Sequence, residues 1–117
     1  MNPKIQLYDE IEEFFLNERG NILILAKTDD ILYKIFTELQ DRLPSFRCRT
    51  TPNYIISKLH HKSSIIGIVL SSHSLKGQSP HFLIVQRNLI NDESFRPLIY
   101  CLKNEYKDTI YKEFDDI

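Results

Sequence analysis

Residues 21–26 read Asn-Ile-Leu-Ile-Leu-Ala (NILILA), a run in which five apolar side chains follow one another without a polar break. A strand with one face in water alternates apolar and polar residues, whereas a strand covered on both faces does not need to. The run therefore predicts a central β-strand that is buried on both faces. Such a strand requires packing elements on each side of its sheet.

Helical patterns lie on both sides of this strand in the sequence. Apolar residues recur at helical spacing over residues 5–16, and Gly20 ends this predicted helix. The Thr-Asp-Asp segment at residues 28–30 supplies the turn and N-cap of a second helix, residues 31–43, which Pro44 closes. The order helix, strand, helix indicates an α/β protein.

The rest of the chain continues this alternation. We interpret residues 46–50, 64–71 and 81–85 as strands, 54–60 as a short helix or a loop, 95–107 as the last helix, and 108–117 as a helical extension or a frayed end. The nine residues between Ser71 and His81 are too few for a standard helical crossover. Those two strands are therefore expected to form an antiparallel pair or to be joined across a short excursion.

These elements predict a single domain over residues 1–117. The expected architecture is a three-layer α/β sandwich, in which helices flank a small, mainly parallel sheet. With 42% apolar and 26% charged residues, the chain has the composition of an ordinary soluble protein and not of a disordered one. Neither a signal peptide nor a membrane span is expected. Cys48 and Cys101 are interpreted as thiols, which indicates a reducing, cytoplasmic location.

Charge is distributed unevenly along the chain. Residues 1–41 carry a net charge of −5, residues 42–91 carry +7 without a single carboxylate, and residues 92–117 carry −3. If the basic side chains converge in space, they attract phosphates or an acidic partner. If they are dispersed and paired with the acidic flanks, they have no such role.

Four basic residues of the middle segment are the predicted phosphate contacts. Arg47 and Arg49 are two apart in a predicted strand, so their side chains point to the same face. Lys76 lies in a loop beside Gly77, and Arg87 follows the strand at residues 81–85. Contacts of this kind position nucleic acid without reading its bases, and their affinity falls with added salt. The predicted partner is DNA, RNA or an acidic protein.

The order of motifs resembles the ATPase core of viral terminase large subunits and related helicases. NILILAKT at residues 21–28 followed by a long helix, SLKGQSP at 74–80 before the strand HFLIVQR at 81–87, and the acidic helix start NDESF at 91–95 carry the resemblance. It spans nearly the whole chain and implies a nucleotide-motor type of α/β core.

The chain departs from that family at the residues that perform catalysis. Its three glycines (Gly20, Gly67 and Gly77) are not part of a Gly-Lys-Ser or Gly-Lys-Thr phosphate-binding loop. Gln86 and Arg87 stand where the family has its metal-binding aspartate and catalytic glutamate. The sequence therefore predicts a degenerate, non-catalytic core with no cofactor, although an active nucleotide enzyme stays an alternative.

Two other interpretations remain open. Asp29-Asp30 resembles the acidic pair of a response-regulator receiver domain, but the strand at residues 64–71 lacks a terminal aspartate and the helix-cap interpretation is simpler. A protein-interaction or homo-oligomerisation module, working through a sheet edge or the acidic first helix, is the principal alternative to nucleic-acid binding. The four histidines, at positions 60, 61, 73 and 81, do not have the spacing of a metal site, so no metal is expected.

Overall fold

The structure is a computed structural model, and it describes residues 3–17, 20–43, 48–51, 54–57, 64–69, 80–97, 99–100 and 109–115. Three helices and six strands have defined bounds in this part of the chain. They are α1 Pro3–Asn17, β1 Asn21–Ala26, α2 Asp29–Arg42, β2 Cys48–Thr51, β3 Tyr54–Ser57, β4 Ser64–Val69, β5 Phe82–Gln86, α3 Arg87–Ile90 and β6 Ile110–Phe114.

The six strands form one mixed sheet in the order β2-β3-β4-β1-β5-β6. Strands β4, β5 and β6 run parallel to β1, while β3 is antiparallel to both β2 and β4. The α/β class is therefore confirmed. The expectation of a mainly parallel sheet holds for the four strands from β4 to β6 and not for the β2–β3 hairpin.

Strand β1 lies at the centre of the sheet and is buried on both faces, as its unbroken apolar sequence predicts. Ile22, Ile24 and Ala26 belong to an apolar cluster with α1 and α2, on what we call the α1–α2 face. Leu23 and Leu25 belong to a second cluster that includes Leu89 of α3 and Ile99, on the α3 face. Alternating side chains of one strand thus fill both cores.

Helix α2 packs closely on the sheet because β4 contains a glycine. The Thr28 hydroxyl oxygen accepts a hydrogen bond from the Ile31 backbone N–H at 3.4 Å and caps the helix, as predicted. Phe36 of α2 lies over Gly67, where an added Cβ would come within 2.5 Å of the phenyl ring. The residue at position 67 therefore sets how near the helix can approach the sheet.

Helix α1 packs over the β5–β6 side of the same face. Phe14 contacts Phe82 edge to face, with ring centroids 5.2 Å apart. On the outside of this contact, the Lys112 ammonium of β6 donates a hydrogen bond to Glu10 of α1. Helices α1 and α2 thereby cover adjacent parts of one sheet face.

Two predicted elements are wrong, and both errors confuse a strand with a helix. Residues 54–57 form strand β3, in which Ile55 is buried while Tyr54 and Ile56 stay partly exposed. Residues 110–114 form edge strand β6, paired in parallel with β5. Both segments are short enough for tertiary pairing to override a weak helical pattern.

The antiparallel pairing of β4 with β5, one of the two expected relations, is wrong, and the residues of the alternative, a short excursion between the strands, lie mostly outside the described part of the chain. The two strands do not pair with each other, since each pairs in parallel with β1 from opposite sides. The short helix α3 was not predicted. The last predicted helix is seen at residues 96, 97, 99 and 100, and residues 101–107 lie outside the described part of the chain.

None of the described helices is long and apolar enough to cross a membrane. Cys48 is buried in the α1–α2 core, and Cys101 lies outside the described residues.

Candidate nucleic-acid interface

The structure describes two of the four predicted phosphate contacts, Arg49 and Arg87, and it does not bring them together. Arg49 is on β2, at one edge of the sheet, and Arg87 follows β5, near the other edge. Strands β2 and β5 are separated by β3, β4 and β1, so their axes lie roughly 19 Å apart at about 4.8 Å per strand spacing. Arg47 and Lys76 lie outside the described residues.

Arg87 is engaged by carboxylates of the acidic C-terminal segment. Its Nε donates to Glu113 at 3.3 Å, and one terminal nitrogen (Nη1) donates to Asp115 at 2.6 Å. The guanidinium is about half exposed, so these pairs contribute little to stability. They do offset the positive charge that Arg87 would present to a phosphate.

Glu113 has a second partner on its own strand. The Tyr111 hydroxyl donates a hydrogen bond to Glu113 at 2.9 Å. Burial, followed by this contact with Glu113, raises the pKa of Tyr111 well above its ordinary value. The carboxylates that face Arg87 are therefore part of a local polar network.

Arg42, the first basic residue of the middle segment, is engaged in a similar way. It donates to Asp9 of α1 at 2.7 Å and to Glu38 of α2 at 3.0 Å, and its guanidinium lies 5.3 Å from the centre of the Tyr8 ring. The hydrogen bond to Asp9, followed by that to Glu38, raises the pKa of Arg42. Arg42 thus joins the two helices of the α1–α2 face.

Arg49 differs from both of these arginines. It is exposed on the α3 face of edge strand β2, next to Cys48, whose side chain points into the core on the other face. Within the described ranges, no carboxylate forms an ion pair with Arg49. Among the described residues its charge is thus not offset, in contrast to the paired charges of Arg42 and Arg87.

Gln86 occupies the carboxyl end of β5. Its side chain is 1% exposed, and its amide oxygen accepts a hydrogen bond from the Lys27 backbone N–H at 2.8 Å. This contact ties the carboxyl end of β5 to that of β1. Gln86 therefore has a structural role, since its side chain connects two neighbouring strands of the sheet.

The N-terminus of α2 is poorly suited to hold a phosphate group. A helix N-terminus attracts anions through its free N–H groups and its dipole. Here Asp29 and Asp30 place two carboxylates in the first turn, and Thr28 already accepts from one N–H. Negative charge at this position repels a nucleotide phosphate.

Of the predicted Thr28-Asp29-Asp30 cap, Thr28 makes the cap hydrogen bond, while Asp29 and Asp30 lie in the first turn of α2, where their charge complements the helix dipole. In the part of the chain that the structure describes, no group of three or more His, Cys, Asp or Glu side chains is arranged to hold a metal ion. The imidazole of His81, one of the four histidines, accepts the Asn21 backbone N–H at Nδ1. Residues 71–73, where a receiver would carry its phosphorylated residue, lie outside the described ranges.

Sequence reasoning missed Tyr54 as a neighbour of Arg49. The helix expected over residues 54–60 left its side chain without a defined relation to β2. The run Tyr54-Ile55-Ile56 was a signal for a strand, because aromatic and β-branched residues are enriched in strands. This signal did not indicate which strands residues 54–57 pair with, or in what register.

No protein-family model matches the chain, and no curated protein matches it either. Inferences about its function therefore depend on the arrangement of its own side chains.

Proposed function

We propose that the chain is a non-catalytic α/β binding module of the terminase or helicase ATPase type, which contacts nucleic acid through its basic middle segment. The observation that carries the proposal is the exposed Arg49 on edge strand β2, which has no ion pair among the described residues. Arg47 and Lys76 complete the proposed phosphate contacts. Arg87 is a weaker candidate, since Glu113 and Asp115 offset its charge.

The non-catalytic part of the proposal rests on what replaces the catalytic residues. The chain has no Gly-Lys-Ser or Gly-Lys-Thr motif. The Gln86 side chain accepts a hydrogen bond from the Lys27 backbone N–H. A neutral amide cannot bind Mg²⁺ as the family's aspartate does, and the cation Arg87 cannot act as a general base. ATP turnover by the wild type that exceeds that of a Lys76→Ala variant would contradict this part.

The proposal also includes a three-layer architecture and a cytoplasmic location. A three-layer sandwich follows if residues 95–107 cover the α3 face in the way that α1 and α2 cover the other face. A reducing, cytoplasmic location suits Cys48, which is a thiol buried in the core.

The test is the affinity for fluorescein-labelled DNA and RNA oligonucleotides, measured by fluorescence anisotropy at two salt concentrations. We expect binding at about 50 mM salt that weakens steeply by about 200 mM, because phosphate contacts release counterions. Arg49→Ala should lower the affinity and reduce the salt slope by about 1. Lys27→Ala removes the same charge from an exposed position at the carboxyl end of β1 and is the matched control.

Two outcomes would contradict nucleic-acid binding. One is the absence of any interaction at the lower salt concentration. The other is equal loss of affinity in Arg49→Ala and Lys27→Ala, which would indicate attraction to overall charge and not to the β2 surface. Capture of an acidic protein by the wild-type chain after nuclease treatment would indicate the other class of partner.

A second candidate function is self-association through the other edge of the sheet. Ile110 of edge strand β6 is 52% exposed, which is unusual for a large apolar side chain in a strand. An edge of this kind can pair with a second copy of the chain. Light scattering should then give a mass above 13.9 kDa that Ile110→Lys reduces to the monomer value.

A further inference from the structure

Arg87 lies at the carboxyl edge of the parallel strands, directly after β5. The neighbouring strand β1 continues into α2 on the α1–α2 face, while β5 continues into α3 on the opposite face. Open α/β sheets bind their ligands where adjacent strands send their connections to opposite faces. Arg87 is therefore a cation at a place where such a sheet can receive an anionic ligand.

The two carboxylates that contact Arg87 come from the end of one strand. In the parallel register of β5 and β6, Gln86 is paired with Phe114, so that Arg87 and Asp115 occupy the next positions. Glu113 precedes this pair by one position and also reaches the guanidinium. The pairing of β5 with β6 thus brings both acidic groups to the same arginine.

These two carboxylates differ in how firmly they are held. Glu113 accepts hydrogen bonds at both oxygens, from Arg87 at Oε1 and from Tyr111 at Oε2. Its side chain is 31% exposed, whereas that of Asp115 is 73% exposed. Asp115 contacts the arginine through Nη1 alone, and ion pairs at such exposed positions are weak. Asp115 is therefore the partner of Arg87 that a phosphate can displace.

We propose that Asp115 competes with phosphate for Arg87, so that the ion pair between them is an autoinhibitory contact in nucleic-acid binding. Carboxylate and phosphate oxygens accept the same guanidinium N–H groups. Binding of a backbone phosphate at Nη1 breaks the hydrogen bond to Asp115, and removal of that carboxylate charge strengthens the phosphate contact. The inference rests on the proposed function and concerns the regulation of its weaker candidate residue, Arg87.

The test measures the affinity of full-length variants for a fluorescein-labelled DNA oligonucleotide by fluorescence anisotropy. Asp115→Asn removes the competing charge and nearly keeps the size of the side chain. We expect it to raise the affinity about two- to fivefold at about 50 mM salt, the range that corresponds to a weak exposed ion pair. The salt slope should become steeper by about 1, because one more phosphate contact releases counterions.

Glu93→Gln is the matched control. It removes one negative charge from an exposed position of the same acidic segment, where no ion pair is formed with another described residue. We expect a smaller gain in affinity from this variant, since it alters only the net charge. A gain equal to that of Asp115→Asn would overturn the inference.

Arg87→Ala provides a second background in which Asp115 has no guanidinium to occupy. In this background the gain from Asp115→Asn should fall to the level of the Glu93→Gln control. An equal gain with and without Arg87 would overturn the inference, because it would indicate a general effect of charge. Thermal melts check that each variant is folded.

The outcomes separate this inference from the proposed function. Binding by the wild type that Asp115→Asn leaves unchanged would overturn the inference and leave nucleic-acid binding intact. Binding by Asp115→Asn without binding by the wild type would support the inference and contradict nucleic-acid binding by the unaltered chain. No binding by either protein at low salt would contradict both.

Discussion

At the β5–β6 side of the sheet the charged side chains neutralise one another, whereas at the β2–β3 side Arg49 faces solvent without a described ion pair. Arg87 contacts Glu113 and Asp115, and Lys112 contacts Glu10. These carboxylates come from the two acidic flanks of the sequence. The comparison teaches that basic residues of one segment differ in their surroundings: Arg87 is paired with carboxylates, whereas Arg49 is exposed and has no ion pair among the described residues.

The two regions also differ in how fully their strands are covered. Ile24 of β1 is completely buried, while Ile56 of β3 keeps part of its surface exposed. A buried strand contributes through the apolar area that it removes from water, and a partly covered strand contributes less. Substitutions of apolar residues in β1 should therefore lower the free energy of unfolding more than those in the β2–β3 hairpin.

The largest effect is expected for Ile24→Ala. Removing this side chain from the core should lower the free energy of unfolding by about 2–5 kcal/mol, because it leaves a cavity. Ile56→Ala, the same change at the hairpin, should cost less than half as much. Urea denaturation of both variants measures the difference, and equal losses would mean that the hairpin is as tightly packed as the centre.

Gly67→Ala tests the close packing of α2 on the sheet. The added methyl group would lie 2.5 Å from the Phe36 ring, so one of the two elements must shift. We expect a loss of about 1–3 kcal/mol in the free energy of unfolding. Phe36→Leu in the same chain should recover part of this loss, and additive losses in the double variant would argue against a direct clash.

Gln86→Leu removes the hydrogen-bond acceptor of the Lys27 backbone N–H while nearly keeping the volume of the side chain. We expect the free energy of unfolding to fall by about 1 kcal/mol, since the Lys27 N–H group loses its partner in a partly buried position. Hydrogen exchange of the Lys27 amide should become faster. Slow exchange in the variant would show that another acceptor replaces Gln86.

The smallest effect is expected from alkaline pH. Burial, followed by the charge of Glu38, raises the pKa of Tyr8 above its ordinary value of 10.0, although Arg42 opposes the shift. The stabilisation linked to such a group is complete below pH 10 and is lost as the pH rises toward the raised pKa, because the unfolded chain ionises first.

This dependence is measured as the slope of the unfolding free energy against pH between about 9 and 11. Tyr8→Phe should make the slope shallower, since it removes one group that favours the unfolded chain at high pH. Tyr33→Phe, at an exposed position of α2, is the control for the loss of one phenol. A slope unchanged by Tyr8→Phe would contradict the burial of its hydroxyl group.

Much of the fold could be predicted from local pattern. The unbroken apolar run of β1 (Asn21–Ala26), the Thr28 cap and the helical periodicity of α1 and α2 each reflect a property of a few neighbouring residues. The two wrong elements, at residues 54–57 and 110–114, are strands of four and five residues, of which the first forms a local hairpin with β2 and the second pairs with the more distant β5. Short segments contain too few repeats to separate a period of 2 from one of 3.6.

The candidate site could be predicted only in part. The uneven charge identified the basic segment, but it did not distinguish the paired Arg42 and Arg87 from the exposed Arg49. That distinction depends on carboxylates at positions 9, 38, 113 and 115, which reach the arginines only in the folded chain, mostly from distant segments. Glu38 is four residues before Arg42 on the same helix, but for the other three carboxylates the position in the sequence does not indicate which arginine they contact.

The amino-acid sequence by itself determined the class of the protein, its central buried strand, its two major helices and the absence of a phosphate-binding glycine motif. Those features depend on residue types and their local spacing. Tertiary structure decided which arginines form ion pairs and that the Gln86 amide oxygen accepts the Lys27 backbone N–H. It also decided that Tyr54 is the diagonal neighbour of Arg49. These depend on strand order and register, which arise when the whole core packs and distant segments come into contact.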